Sequence, residues 1–361
     1  MDAEILVGRT LAGYLMRGII GRGSMGVVYA ARDLVLSHDV AVKVIRPDTA
    51  FSADAIDRLH QEARWLLRCD DPHVVRVYGS GRAEGHDYIA MELMPATLQA
   101  RIAKGRPEIR ELVEIGAGIL LGLAAAHRAG IIHQDVKPAN VGIARDGMVK
   151  LLDFGVASPL PWSTSFQEAA TFTWGLPCVG SLHYMAPEQL RGEAVDDRAD
   201  VYSTGAVLYE LATGRRPFTD SRPACLINAV LNGHPCPPSL LNPNLPAAID
   251  RVLIRALAKK PARRFSSVLA MMDALLQVGP LAPGPAGPKM PAARRRDPIA
   301  IPRRVMPTQY GATPNVGVAV SFGASRGWPT HATSQERYRP STRRLDPRVH
   351  CRAADAGAEG R

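Results

Sequence analysis

Three things are scarce in this chain of 361 residues, and each scarcity removes a class of reading. Cysteine is the first. The five cysteines (Cys69, Cys178, Cys225, Cys236, Cys351) are odd in number, and no two stand at a C-x-x-C spacing. Neither a disulfide framework nor a structural zinc site is favoured, and the sequence predicts reduced thiols in a cytoplasmic protein. Long apolar runs are also missing. The longest, "LVEIGAGILLGLAAAH" at 112–127, is shorter than a bilayer-spanning helix and ends in His-Arg, so it reads as a buried helix. The opening "MDAEILVGRT" lacks a basic stretch followed by an apolar one, so no signal peptide is expected. Aromatic residues, at 6%, are the third scarcity.

What is present is an ordinary globular balance, 46% apolar and 22% charged, enough for a sizeable core. The net charge of +10 suggests a nucleic-acid partner until it is mapped. Residues 279–361 hold 14 Lys+Arg against 5 Asp+Glu, or +9, which leaves +1 for the preceding 278 residues. The basicity belongs to a tail. That tail carries 12 prolines and 9 glycines in 83 residues, a composition that predicts disorder. Its arginine clusters suit an acidic partner, and nothing in it supports sequence-specific nucleic-acid binding.

Ahead of the tail, the residues to about 93 read as strand-rich. "YLMRGIIGRG", "MGVVYAARD" and "DVAVKVIRP" are short β-prone runs joined by glycines; "HVVRVYG" and "DYIAMELM" resume the pattern after a helical stretch, "ADAIDRLHQEARWLL". From about 96 the chain reads as mostly helical, with long segments at 110–129, 198–213 and 246–275. A small β-rich lobe and a larger helical lobe imply a cleft.

Four stretches carry chemistry. "GRGSMGVV" places Gly21, Gly23 and Gly26 where backbone N–H groups can approach phosphate oxygens. Because it runs on into "VVYAARD", it reads as a glycine-rich hairpin and not as the strand-to-helix turn of a dinucleotide site. In "VAVKVI", alternation puts Lys43 on the face of Ala41 and Ile45, where an ammonium needs a partner; Glu62 on the following helix is the natural one. "IIHQDVKPANVGI" crowds His133, Asp135, Lys137 and Asn140 into eight residues. "LLDFGVA" places Asp153 13 residues after Asn140, room for a short β-hairpin between them.

With these in order, residues 14–278 resemble the eukaryotic-type (Hanks-type) protein kinase family in its bacterial serine/threonine branch. The matching motifs are Gly21-Arg-Gly23-Ser-Met-Gly26, Lys43 with Glu62, His133-Gln134-Asp135 through Asn140, Asp153-Phe154-Gly155 and Ala186-Pro187-Glu188, with Asp200 and Arg264 beyond. The resemblance implies an α+β, two-lobed protein kinase fold, with a small β-rich lobe at about 14–93, a helical lobe at about 96–278 and the tail at 279–361. It implies ATP and Mg²⁺ as cofactors, Mn²⁺ substituting, and protein serine or threonine as substrate, with autophosphorylation. Asp135 would take the hydroxyl proton and Lys137 would offset phosphate charge. Asn140 and Asp153 would hold the metal, and Lys43, steadied by Glu62, would grip the α- and β-phosphates. Ile20, Val28 and Ala41 would cover the adenine, with Met91 guarding the back of the pocket and the backbones of Glu92 and Met94 facing the ring. Asp200 would anchor the catalytic loop, and Arg264 would pair with Glu188. The alternative is a pseudokinase that binds nucleotide and partners without turnover.

Three residues or segments depart from the family pattern. Gln134 replaces an arginine beside the catalytic aspartate, which puts control by activation-segment phosphorylation in doubt. Gly142 stands where the family has a bulky floor beneath the adenine, which predicts a roomier nucleotide site. The segment from Val156 to Met185 is long and oddly apolar, with Trp162, Phe166, Phe172 and Trp174.

Overall fold

The computed structural model describes residues 6–23, 26–45, 63, 66–67, 69–154 and 179–278. The expected tail, Glu62, Gly155 and most of the apolar segment after Asp153 lie outside the described residues, as does most of the helix read from "ADAIDRLHQEARWLL".

Alternating apolar residues build the first lobe. β1 (Thr10–Leu11), β2 (Tyr14–Arg22), β3 (Gly26–Asp33), β4 (Asp39–Ile45), β5 (Val77–Ala83) and β6 (His86–Glu92) form one antiparallel sheet in the order β1-β2-β3-β4-β6-β5. Strand β4 shows what alternation does. Val40, Val42 and Val44 join an apolar cluster with Met16, Tyr29 and Ala31, whereas Ala41 and Ile45 join the main core with Ala63, Leu66 and Met91. Lys43 therefore stands on the face of Ala41 and Ile45, as the sequence predicts.

β2 and β3 form a hairpin whose neck is closed by Gly23 N–H donating to the Gly26 carbonyl at 2.9 Å. This bears out a glycine-rich hairpin over a dinucleotide turn. Gly26 also has a packing reason to be glycine: a Cβ there would fall 2.1 Å from the Val44 carbonyl oxygen on β4. The fifth strand differs from expectation. "HVVRVYG" contributes only its end to β5, which runs on through Gly79-Ser80-Gly81 with a bulge after Val77, while Val74 bridges Leu151 of the second lobe.

The second lobe is built around α2 (Ile109–Arg128) and α5 (Arg198–Thr213). Every residue of α5 from Ala199 to Thr213 is buried, so this helix is the lobe's axis. Within the second lobe, β7 (Ala96–Thr97) pairs with β8 (Val141–Ile143), which pairs with β9 (Val149–Leu151). The β8–β9 pair is the short hairpin expected between Asn140 and Asp153. Thr97 then caps α1 (Leu98–Ile102), its hydroxyl accepting the Ala100 amide at 3.4 Å.

Beyond these come α3 (Val179–Leu182), α4 (Pro187–Arg191), α6 (Pro223–Asn232), α7 (Pro238–Leu241), α8 (Ala247–Ala256) and α9 (Val268–Leu276). The single helix expected over 246–275 is thus two, α8 and α9, separated by a one-turn helix at Pro261–Arg263. α8 has already ended at Ala256; Pro261 opens the one-turn helix, as its fixed φ suits a first helical position, and Arg264 after it is extended (φ −77°, ψ −171°) and buried. A second correction concerns sulfur. Cys69 and Cys225 are free thiols, but Cys236 is disulfide-bonded. Among the described residues, no helix is long and apolar enough to cross a membrane.

Candidate active site

The stretch "IIHQDVKPANVGI" leaves α2 and is held from beneath by one carboxylate. Asp200, wholly buried on α5, accepts the backbone amides of His133 at 2.8 Å and Gln134 at 2.9 Å and the Nε2 of His127 at 2.8 Å. Gln134 is also gripped at its carbonyl, which accepts Gln189 Nε2 at 2.9 Å. Its φ of +63° is a left-handed backbone that non-glycine residues seldom adopt, so the two clamps hold a strained turn in place. Asp135 follows immediately and is aimed by that turn.

His133 is a support. Its ring is fully buried and lies on Phe154, with centroids 4.5 Å apart, and its Nδ1 accepts the Asp135 amide at 3.3 Å. Burial pushes the imidazole below its ordinary pKa despite the nearby Asp200 and Asp135 carboxylates, so the ring is neutral.

The polar side chains the sequence singles out do converge. Lys137 Nζ donates to Asp135 Oδ2 at 2.5 Å and to Ser181 Oγ at 3.0 Å. Asn140 closes the one-turn helix Pro138–Asn140, and its Nδ2 donates to the Asp135 carbonyl at 3.0 Å and to Asp135 Oδ2 at 2.9 Å. Both of those partners are acceptors, so the amide nitrogen must face them and the amide oxygen is turned the other way. The Leu152 amide donates to the Asn140 carbonyl at 2.9 Å, which ties the strand before Asp153 to the loop that carries Asp135.

Lys43 reaches down from β4 to Asp153, Nζ to Oδ1 2.9 Å. The expected partner Glu62 lies outside the described residues. Burial raises the Asp153 carboxyl, but the Lys43 ammonium, aided by Lys137, outweighs it and holds the group below the ordinary carboxylate range. Asp153 is therefore a carboxylate at neutral pH. Of the residues expected around the adenine, Ala41 is buried, Val28 is half-buried against the core and Ile20 on β2 is 53% exposed. Gly21 pairs with Val28 across the hairpin. Met91 is buried.

Other contacts matter that sequence reasoning did not single out. The Glu92 side chain accepts Lys150 Nζ at 2.7 and 2.9 Å, bridging β6 to β9 of the second lobe. Only the fold brings these two together. Gln189 had a local signal: it stands three residues after Ala186, whose amide its Oε1 accepts at 2.9 Å, which is half of a capping box. Its other end clamps Gln134. The buried pair of Glu188 and Arg264 was expected, and its geometry is bidentate, with both oxygens 2.6 Å from the guanidinium. Arg264 donates further to the carbonyls of Arg198 and Ala258 at 2.8 Å.

The space above Gly142 corrects the expectation of a roomier site. A Cβ at that position would meet Met94 Cγ at 2.7 Å and Leu152 Cδ2 at 3.1 Å. Neighbouring side chains already fill the volume that a larger residue would occupy.

Comparisons with known proteins agree with this geometry. The family model of the protein kinase domain matches residues 14–276. Serine/threonine-protein kinase PknB of Mycobacterium leprae is 38% identical over 283 residues, covering 77% of this chain and 44% of the relative. PknB of Mycobacterium tuberculosis is 37% identical over 271 residues, covering 73% of this chain and 42% of the relative. The chain thus spans less than half the length of these curated relatives. Among solved structures, the Mycobacterium tuberculosis PknI kinase domain is similar at 30% identity and a TM-score of 0.59, covering 75% of this chain and 97% of that one.

Proposed function

The chain belongs to the protein kinase family, in its bacterial serine/threonine branch, and on that premise we propose that it transfers the γ-phosphoryl group of ATP to serine and threonine hydroxyls of proteins, its own included. We place the catalytic domain at residues 14–278. The observation that carries the reading is the meeting of Lys137 and Asn140 on one oxygen of Asp135, beside a Lys43–Asp153 pair that spans the two lobes.

Phosphoryl transfer depends on position and charge more than on covalent help from the protein. Among the described residues, both hydrogen bonds of the Asp135 carboxylate fall on Oδ2, so Oδ1 is the oxygen that would accept the substrate hydroxyl's proton. Lys137, bridging Asp135 and Ser181, would turn its ammonium to the transferred phosphate as charge develops. Lys43 would grip the α- and β-phosphates, and the hairpin of Gly21, Gly23 and Gly26 would lie over them. The backbones of Glu92 and Met94 would hold the adenine beneath Ile20, Val28 and Ala41.

The donor set fits a hard divalent cation, Mg²⁺ with Mn²⁺ as a substitute. Asp153 is ionised and Asn140 turns its amide oxygen away from Asp135, giving two oxygen donors. Mg²⁺ keeps several waters and takes one or two protein oxygens plus phosphate, not a full protein cage. When bound, the ion would neutralise phosphate charge; its ligands would be Asp153 and Asn140. We further propose that the protein acts in the cytoplasm and that the basic tail meets an acidic partner.

The chemical outcome is testable on the product. Incubation with labelled ATP and Mg²⁺, followed by acid hydrolysis, should yield phosphoserine and phosphothreonine. Label in phosphotyrosine alone, or no label, would contradict the reading.

A further inference from the structure

Gly142 lies in the middle of β8, buried, paired with Thr97 on one side and Lys150 on the other. A glycine inside a strand weakens it, so its presence calls for a cause. Backbone conformation is not the cause, because Gly142 is absent from the positive-φ glycines. Space is. A Cβ on Gly142 would fall 2.7 Å from Met94 Cγ, 3.0 Å from Met94 Cε and 3.1 Å from Leu152 Cδ2.

Met94 comes from the segment that joins β6 to β7, and its side chain folds back along β8 into the volume that a side chain at 142 would fill. It is only half-buried, so one side of it remains open. The neighbours of this patch place it. Leu152 directly precedes Asp153, and its amide is bonded to the carbonyl of Asn140, two residues before Gly142. The Met94–Leu152 surface thus adjoins both proposed metal ligands.

We propose that the Met94 side chain, and not residue 142, forms the floor beneath the purine base of the bound nucleotide, and that residues 94 and 142 are a size-matched pair. The inference rests on the kinase reading above. Methionine suits such a floor, being unbranched, polarisable and able to lay its thioether against an aromatic ring. Because the floor is a rotatable side chain anchored in the segment that joins β6 to β7, the depth of the pocket is set by Met94 while Gly142 supplies the room.

The test is a double-mutant cycle on the full chain, reading by calorimetry the affinity for a non-hydrolysable ATP analogue with Mg²⁺. Met94→Ala removes the floor and should weaken binding about 5-fold, the equivalent of roughly one buried methylene or more. Gly142→Leu forces Met94 out of its place and should weaken binding about 10-fold or more. The double variant seats leucine in the space Met94 leaves, and should return to within about 3-fold of wild type, the non-additivity expected of contacting residues. Losses that simply multiply in the double variant, or an unchanged affinity in Met94→Ala, would overturn the proposal. If Gly142→Leu alone fails to fold, as judged by thermal unfolding, Met94→Leu against Met94→Ala decides: the leucine should keep affinity and the alanine lose it, and equal affinities would refute the pairing. A wild type that binds no nucleotide would overturn the kinase reading itself, a result distinct from all of these.

Discussion

Asp200 accepts the backbone amide of Gln134 at 2.9 Å across 66 residues of sequence. The same carboxylate, itself wholly buried, takes the His133 amide and the His127 imidazole. One side chain therefore fixes the turn that aims Asp135. Asp200→Ala would strand three donors, one buried and two part-buried, at a cost of up to about 1–3 kcal/mol each. A fall in Tm of about 10 °C or more is expected, with loss of phosphoryl transfer. Thermal unfolding checks it; a variant as stable and active as wild type would show that the loop is held by other means.

The buried pair of Glu188 and Arg264 makes a second prediction. Removing one partner of such a pair leaves an uncompensated charge and costs about 3–5 kcal/mol. Arg264→Met and Glu188→Gln should each destabilise the fold strongly, and the double variant should lose less than the sum of the two. Strict additivity in chemical denaturation would show the two groups are not coupled.

Gln134 carries a regulatory prediction. Its backbone is held at both ends, by Asp200 and Gln189, so the turn is independent of which side chain stands there. A neutral amide cannot make a charge-assisted bidentate contact with a phosphate. Phosphatase treatment of the activation segment should change wild-type activity less than about twofold, and Gln134→Arg should make activity depend on phosphorylation, because it supplies the missing cation. A large response in wild type that Gln134→Ala abolishes would refute this.

Lys259 provides a pH signature. Its Nζ donates to the Val230 carbonyl at 2.5 Å at the end of α6 and lies 3.8 Å from the Phe218 ring centroid. Burial first, then the Arg264 and Arg191 charges, bring its pKa from 10.5 down to about 7. Between those values the unfolded chain binds more protons than the folded one, so folding becomes more favourable as pH rises. Below pH of about 7 both states are protonated and the full cost of charging a buried lysine is carried. The stability of wild type relative to Lys259→Met should therefore increase from pH of about 7 to about 9. Parallel stability curves for the two proteins would count against it.

Much of this site is legible in the sequence because it depends on short-range order. Asp135, Lys137 and Asn140 lie within one turn of chain, and the β8–β9 hairpin returns the strand before Asp153 to their side. What the sequence hides is long-range. Lys150 meets Glu92 from another lobe, and the break after Ala256 makes sense only once Arg264 is seen reaching Glu188. Gly142 is the sharpest case. Read alone it suggests empty space; the fold shows that Met94 fills it, a pairing that neither periodicity nor spacing can register.

The central claim is that Asp135 and Lys43 act on a bound nucleotide to move its γ-phosphate. The most direct measurement is incorporation of label from ATP with Mg²⁺ into the protein, wild type beside Lys43→Met and Asp135→Asn, with all three shown to be folded. The account predicts robust labelling of wild type and a loss of at least about 100-fold in each variant, the scale of removing a catalytic proton acceptor or a phosphate clamp. Equal labelling in all three, or none in any, would contradict it.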